Sequence, residues 1–289
     1  MRTTSNKPDL YRAIIDRRSV RRYDRAALDA GTIDQVQYFI ESAEPLIPEN
    51  HFDVRHHDGM LIDKDFISSM GAYGYIVTPP HALAPYIIGN SYPLVDLGYR
   101  VEQIVVRLTG LDIGTCYIGT LYREEANRAR LNLPADSHCG ALLVFGYPAS
   151  STTGHALNSL MRSVPRGNTR LPMNQIFYQG SFDHPTHPPD DLFPILSAAR
   201  FSPSAVNAQP WRFLWLDGDL HIFVKRYNPK YGRGPGQAYR YYDGGICLAN
   251  IKLALNTLEL KGEWILHGQG YEVPNHPHTL EPLAKLVYR

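Results

Sequence analysis

A repeated segment constrains this 289-residue chain more than any other feature. From Asp96 the chain reads DLGYRVEQIVVRLTGLDIGTCYIG, and from Asp243 it reads DGGICLANIKLALNTLELKGEWIL, an offset of 243 − 96 = 147 residues. Both copies carry apolar residues at spacings of three and four, which predicts a buried helix, and then lead through glycine into a short strand-like run. A weaker match aligns NHFDVRHHDG from Asn50 with QPWRFLWLDG from Gln209 at an offset of 159. Two matches in the same order predict an internal duplication with one loop shortened in the second copy.

The duplication predicts an α+β fold made of two tandem half-domains. We place the boundary in the irregular stretch Tyr147–Pro172, so that the first half spans residues 1–165 and the second spans residues 166–289. Thr32 and Gln35 form a candidate capping box for the second helix. The predicted helices are Asp9–Arg17, Ile33–Ala43, Leu94–Leu111, Arg123–Leu131, Asp191–Arg200 and Gly244–Leu260, and the predicted strands are Ala141–Phe145, Trp211–Leu216, His221–Val224 and Leu283–Tyr288.

Charge and cysteine usage narrow the class of protein. The net charge is +1, so no bulk field attracts nucleic acid or an anionic membrane. The three cysteines have no CxxC spacing, which argues against a disulfide framework or a zinc site and fits a reducing cytosol. No signal peptide or run of 18 apolar residues is present in this sequence. We therefore expect a cytoplasmic α/β protein that contacts neither membrane nor nucleic acid.

The segment RRSVRR, residues 17–22, is the first of four segments with unusual polar content. Guanidinium groups offer a planar fork of donors that matches phosphate oxygens. A solvated basic turn is the alternative interpretation of such a cluster.

The second segment is SPSAVNAQPW, residues 202–211. Its proline, serine, asparagine and glutamine place amide and hydroxyl groups on a rigid turn, which suits the edge of a planar heterocycle. The alternative is a loop with local Ser and Asn hydrogen bonds to the backbone. The other two segments are TCYIG, which ends in a glycine that permits close ligand approach, and PRGNTRLP, which contributes Arg170.

Other sites are less favoured. The run Gly232–Gly236 does not complete GxGxxG and contains Pro235, so we reject a dinucleotide site. The pairs His56/His57 and His276/His278 lack i,i+4 spacing and a third ligand, so we interpret them as solvated loop histidines and predict no metal. Cys116 is interpreted as a core residue, not a nucleophile.

Together and in order, the four segments resemble the nitroreductase family. The first half is similar to its Arg-Arg-Ser-x-Arg opening, followed by the Asp96 helix, the CYIG strand end, LLVFGYP and the Arg-Leu-Pro segment. The second half is similar to its PSxxNxQPW block and the following helix. The resemblance implies a three-layer α+β fold in which FMN lies at an interface between two subunits.

In this chain the resemblance implies one pseudo-dimer with one complete flavin site. Glu44–Phe52 stands where the first half would carry PSxxNxQPW, Asn174–Gln179 lacks a basic cluster, and Leu266 replaces Gly119. Each half has therefore kept what the other lost, and a monomer is expected. Asn168 stands where many relatives have a basic residue, which puts that phosphate contact in doubt.

By motif position, the resemblance assigns roles to individual residues. The phosphate and ribityl end falls to Arg17, Ser19 and Arg170, and Arg21 is expected at the pyrimidine edge. Gly119 would offer its N–H near flavin N5. Pro203, Ser204 and Asn207 would cover the ring edge from the second half, and Arg18 and Ile118 belong to the same binding motifs.

The implied activity is that of an FMN-dependent oxidoreductase that takes hydride from NADH or NADPH and passes it to nitro, quinone or similar small acceptors. The segment Arg226–Tyr242 is expected to form a mobile aromatic lid over the substrate pocket. Two alternatives stay open: a flavin-dependent oxidase or desaturase of a small metabolite, and a flavin-free pseudoenzyme that acts as a binding protein.

Overall fold

The structure is a computed structural model that describes residues 9–58, 70, 77, 79–149 and 169–288. The predicted boundary between residues 165 and 166 lies outside these residues and stays a prediction. Within them the helices are α1 (Leu10–Asp16), α2 (Ala30–Glu41), α3 (Pro93–Thr109), α4 (Glu124–Arg130), α5 (Phe193–Phe201) and α6 (Tyr239–Thr257). The strands are β1 (His51–Asp58), β2 (His81–Ile88), β3 (Gly114–Gly119), β4 (Ala141–Gly146), β5 (Phe177–Gln179), β6 (Trp211–Leu216), β7 (Asp219–Lys225), β8 (Gly262–Leu266) and β9 (Leu280–Tyr288).

Two separate sheets account for these strands. The first has the order β1-β2-β4-β3 and the second has the order β5-β6-β7-β9-β8. All neighbours are antiparallel except β5 and β6. Without the short β5, the second sheet repeats the strand order of the first, because β6, β7, β8 and β9 follow one another as β1, β2, β3 and β4 do.

Helices α3 and α6 pack against each other in the centre of the molecule. Every residue of α3 from Val95 to Val106 is buried, as is every residue of α6 from Tyr242 to Leu255 except Lys252. A Cβ atom on Gly98 would lie 2.2 Å from the carbonyl oxygen of Tyr242, and one on Gly245 would lie 1.9 Å from that of Val95. The two glycines therefore make the same contact in opposite directions, and both are required for the close helix approach.

Two helices begin earlier than the sequence predicts. The capping box at Thr32 and Gln35 is wrong, because Asp29 is the N-cap of α2 and its carboxylate accepts from the Thr32 N–H at 2.9 Å. The start of α6 at Gly244 is also wrong, since the helix begins at Tyr239. Paired glycines disfavour a helix interior, but packing of the preceding tyrosines against the rest of the protein extends this one.

Strand β1 corrects the interpretation of the first histidine pair. His56 and His57 lie on this strand and are half-buried, and the His56 ring packs 5.7 Å from that of Phe145. They are not solvated loop residues. The strand Trp211–Leu216 is confirmed at both ends.

Candidate functional site

A cavity of about 550 Å³ lies between residues of the stretch 17–141 and residues of the stretch 170–246. Its walls come from the segment after α1, the end of β3, the turn 202–209 and the first turns of α6. This size is in the range of pockets that hold small ligands and cofactors. Eight of the ten site residues named from the sequence line it: Arg17, Ser19, Arg21, Gly119, Arg170, Pro203, Ser204 and Asn207.

Two named residues do not line this cavity. The Ile118 side chain points to the opposite face of β3, into the core of the first sheet, because side chains alternate along a strand. The Arg18 guanidinium is exposed and donates to the carbonyl oxygens of Ile15 and Arg17 at 2.6 and 2.8 Å, where it satisfies carbonyls at the end of α1. Their roles in cofactor binding stay predictions.

Arginine side chains gather at one end of the cavity. The side chain of Arg17 is buried, and among the described residues its Nε has no hydrogen-bond acceptor. Burial, followed by the positive charges of Arg17, Arg18 and Arg200, lowers the pKa of Arg170 to about 10. Crowded guanidinium groups of this kind are stabilised by an anion, so this end of the cavity suits a phosphate.

Arg170 also connects this end to the turn from the second half. Its Nη1 donates to Asn207 Oδ1 at 3.0 Å, and its Nη2 donates to the carbonyl oxygen of Phe201 at 3.2 Å. Asn207 Nδ2 in turn donates to the carbonyl oxygen of Thr169 at 3.0 Å. The arginine and the amide are thus fixed relative to each other.

The turn 202–209 has an unusual backbone. Val206 and Asn207 both have positive φ, at 49° and 51°. Val206 is β-branched and is 64% exposed on the cavity wall. Positive φ is costly for such a residue and is found where surrounding contacts enforce it, often at binding sites.

Gly119 lies at the open edge of the first sheet. The Thr120 N–H donates to the Gly140 carbonyl, so the ladder from β3 to β4 uses the even-numbered residues. The N–H of Gly119 consequently points away from β4, toward the cavity side of this edge strand. A Cβ at Gly119 would lie 2.3 Å from the hydroxyl of Tyr239, so a larger residue there would have to displace the buried Tyr239 side chain.

Asp243 is a cavity residue that sequence reasoning did not select. Its Oδ2 accepts from the Ala205 N–H at 3.0 Å and from the Tyr231 hydroxyl at 2.7 Å. Burial raises the pKa of Asp243 to about 7, although these two hydrogen bonds act to lower it. Its position in the sequence repeat was visible, but nothing in the sequence showed that it reaches the cavity.

Glu102 is a second acid that sequence reasoning missed. It lies on α3, is fully buried, and accepts from the hydroxyl of the cavity residue Tyr117 at 2.7 Å. Burial raises the pKa of Glu102 to about 7 against the opposing influence of Arg17 and Arg170. The only feature of the sequence that could have singled out Glu102 is its position as a charged residue among the apolar residues of the predicted helix.

The segment expected to form a lid is firmly attached to the rest of the site. It contains the 3₁₀ turns Pro229–Tyr231 and Gly234–Ala238, and its end belongs to α6. Lys230 Nζ donates to the carbonyl oxygen of Asn207 at 2.7 Å, and the Tyr122 hydroxyl donates to the carbonyl oxygen of Tyr231. The segment therefore connects the 202–209 turn to the first half. Whether it moves over a substrate stays a prediction.

Comparisons with known proteins agree with this arrangement. The sequence model of a family described as "Putative TM nitroreductase" matches residues 9–255. A putative nitroreductase from Thermotoga maritima has the same fold, with 20% identity, a TM-score of 0.57, and coverage of 96% of this chain and 93% of its own. The comparison with curated proteins gave no match.

Two further solved structures match half of the chain. A nitroreductase family protein from Clostridium novyi NT has 20% identity and a TM-score of 0.41, and covers 49% of this chain and 86% of its own. A nitroreductase with bound FMN from Bacteroides fragilis has 19% identity and a TM-score of 0.42, and covers 50% of this chain and 91% of its own. At these TM-scores neither adds to the assignment.

No helix among the described residues is long and apolar enough to cross a membrane. The family match extends over most of the chain, from the residue before α1 to the last turn of α6, and so includes both walls of the cavity. The chain is therefore an oxidoreductase that belongs to the nitroreductase family.

Proposed function

We propose that the cavity between the two halves binds one FMN, and that the protein uses it to pass hydride from NADH or NADPH to a nitro, quinone-like or other small acceptor. One observation carries this proposal: a buried arginine without an acceptor for its Nε faces a cavity whose opposite wall is the PSxxN turn. We place the protein in the cytoplasm because its three cysteines are free and buried.

The residues at the basic end fit the phosphate of FMN. Arg17 and Arg170 would pair with phosphate oxygens, since their Nε atoms have no acceptor among the described residues. Ser19 lines the same wall and supplies a hydroxyl for the phosphate or ribityl chain. A bound dianion would also relieve the repulsion between the guanidinium groups of Arg17 and Arg170.

The other end of the cavity fits a flat, partly polar ring. Gly119 has an N–H at the open strand edge, and Pro203, Ser204 and Asn207 lie on the wall formed by the second half. Arg21 would stabilise negative charge at the pyrimidine edge. Bound flavin would supply the hydride chemistry, and the protein would bind, orient and shield it.

We further propose that the two halves form an intrachain pseudo-dimer. The repeated strand order and the reciprocal contacts of Gly98 and Gly245 support this, because reciprocal contacts are what a two-fold interface produces. The offsets in the sequence agree, since 245 − 98 and 242 − 95 both equal 147. With the partner half supplied in the same chain, we expect a monomer in solution.

The second site of this pseudo-dimer is proposed to be lost. Arg100 donates to Asp96 and to the carbonyl oxygens of Ile47 and Asn50. These carbonyls belong to the segment that corresponds to the PSxxN turn. In the first half the guanidinium of Arg100 is therefore hydrogen-bonded to this segment. The second half has no such arginine, because the matching position is Cys247.

The test is the flavin-to-chain ratio after reconstitution with FMN, read from the absorbance spectrum together with the native mass. One FMN per monomeric chain, lost in Arg17→Ala and in Asn207→Ala, supports the composite site. Two FMN per chain would contradict the loss of the second site. No binding would favour the flavin-free pseudoenzyme, and an obligate dimer with flavin between chains would overturn the internal site. Steady-state rates with both nicotinamide donors, and with oxidisable metabolites, then separate a reductase from an oxidase or desaturase.

A further inference from the structure

Glu102 is a buried carboxyl group for which the hydride-transfer chemistry has no use. It lies on α3 behind the cavity wall, and its side chain is fully buried. The matching position in the second half, 102 + 147 = 249, is an alanine. The acid is therefore particular to the half that contributes Arg17 and Ser19 to the cavity.

The charged and titratable groups around Glu102 belong to several elements. The Tyr117 hydroxyl on β3 donates to its Oε2 at 2.7 Å. Positive charge reaches it from Arg17 after α1 and from Arg170, and both lower its pKa. The α6 groups that interact with it electrostatically are Tyr242 and Cys247, and the Asn250 amide lies beside its carboxyl group.

The same two arginines would hold the phosphate of FMN. In the free protein their positive charge stabilises the carboxylate of Glu102, which otherwise has only neutral groups around it. A phosphate dianion at these arginines would cancel that stabilisation and add negative charge nearby. Because the carboxyl group is buried, water cannot screen the repulsion, and the neutral acid becomes the favoured form.

We propose that Glu102 takes up a proton when the phosphate of FMN binds, so that cofactor binding at this site is linked to pH. The inference rests on the proposed function, since it places the phosphate at Arg17 and Arg170. By reciprocity, protonation of Glu102 strengthens FMN binding, and FMN binding strengthens protonation.

The expected size of the effect follows from the position of the equilibrium. Burial raises the pKa of Glu102 in the free protein to about 7. If phosphate raises it by about one more, binding at pH 7.5 takes up about half a proton per FMN. The phosphate itself contributes little at this pH, since its second pKa is about 6. At pH 5.5 Glu102 is already protonated and takes up almost no proton, whereas the FMN phosphate is mostly protonated and releases protons when it binds as the dianion, so the net uptake should disappear or become a release.

Isothermal titration calorimetry of FMN binding, in two phosphate-free buffers with different ionisation enthalpies, measures this uptake directly. The full-length protein should show about half a proton taken up at pH 7.5. Glu102→Gln keeps the size of the side chain and an acceptor for Tyr117, and should bind FMN without proton uptake. Glu125→Gln, on the exposed first turn of α4, is the matched control and should behave as the unchanged protein.

Riboflavin, which lacks the phosphate, serves as the second probe and should bind without proton uptake. FMN binding whose heat does not depend on the buffer at pH 7.5 would overturn the inference while leaving the proposed function in place. The same would follow if Glu102→Gln kept the full uptake, or if riboflavin produced it. Absence of FMN binding to the unchanged protein would overturn both the proposed function and the inference on Glu102. The buffer comparison and the riboflavin probe use the unchanged protein, so the two proposals can be separated even if Glu102→Gln does not fold.

Discussion

Asp96 and Asp243 occupy matching positions in the two halves and accept matching hydrogen bonds, but only Asp96 is paired with a cation. Asp96 accepts from the Leu46 N–H at 2.9 Å, and Asp243 accepts from the Ala205 N–H at 3.0 Å. These donors are themselves 205 − 46 = 159 residues apart, the offset of the earlier repeat. Arg100 neutralises Asp96, whereas the side chain of Asp243 faces the cavity with Tyr231 as its partner.

Because Asp243 has no cation beside it among the described residues, its ionisation is predicted to lower the free energy of unfolding as the pH rises. The folded pKa of Asp243, about 7, lies above its unfolded value of about 4, so the folded state binds more protons between these values. Stability must therefore fall as pH rises through this window, by up to about 4 kcal/mol, and then level off. Asp243→Asn, which removes the charge, should gain stability relative to the unchanged protein as pH rises from 4 to 8, measured by urea unfolding.

Asp96→Asn is the matched control for this prediction. It leaves the buried guanidinium of Arg100 without its carboxylate, so it should destabilise the protein at pH 7 by about 3 kcal/mol or more. Equal effects of the two substitutions at pH 8 would contradict the difference described between the halves.

The crossing of α3 and α6 predicts that neither Gly98 nor Gly245 tolerates a methyl group. Gly98→Ala and Gly245→Ala would each force a Cβ into a backbone carbonyl, and we expect a loss of about 3 kcal/mol for each in urea unfolding. The double variant should lose less than the sum, because one shift of the helices relieves both clashes. Gly31→Ala in α2 is the control and should cost far less than either, because its nearest neighbour is the exposed side-chain carboxylate of Asp29 at 3.3 Å, not a buried backbone carbonyl. Neutral substitutions at the crossing would show that the helices separate easily.

The strained turn predicts a stabilising substitution in the cavity wall. Val206→Gly should stabilise the protein by about 1 kcal/mol, because glycine adopts a φ of 49° without a steric penalty. Val206→Ile keeps the β-branch and the strain, so it should give no gain. The midpoints of thermal unfolding compare the two. A loss of stability in the glycine variant would mean that the exposed valine makes contacts that outweigh its strain.

The attachment of the 226–242 segment predicts its response to protease. Tyr231→Phe removes the hydrogen bond to Asp243, and we expect faster tryptic cleavage after Lys230 and Arg233. FMN should slow this cleavage if the segment covers the bound cofactor. Tyr227→Phe is the control, since Tyr227 is 57% exposed, and it should leave the cleavage rate unchanged. Cleavage that is insensitive to both Tyr231→Phe and FMN would argue against a lid.

The sequence predicted the parts of this fold that depend on local periodicity. The buried stripes of α3 and α6 identified the central helices, and the aromatic-rich run Trp211–Leu216 identified β6. It could not locate the start of α6, because the tyrosines before Gly244 are held in the helix by packing against distant residues. Motif position also grouped Ile118 with Gly119, although alternation along β3 turns the Ile118 side chain into the core and away from the cavity that Gly119 borders.

The charged interior was the least predictable part of the site. Asp243 and Glu102 derive their raised pKa values from burial and from partners far away in sequence, and a single sequence gives no measure of either. The arginines were assigned because the cluster RRSVRR stands at its place in the series of motifs that resembles the nitroreductase family, since the cluster alone also suits a solvated basic turn.

The two walls of the cavity are joined by a continuous peptide chain, and this has a consequence for how the site responds to dilution. In a site between separate subunits, the walls come apart when the protein concentration falls below the dissociation constant. In the proposed pseudo-dimer each wall meets the other at an effective concentration that does not depend on the protein concentration. Ligand affinity should therefore be independent of protein concentration, and a substitution alters one wall of one site without being copied into a second.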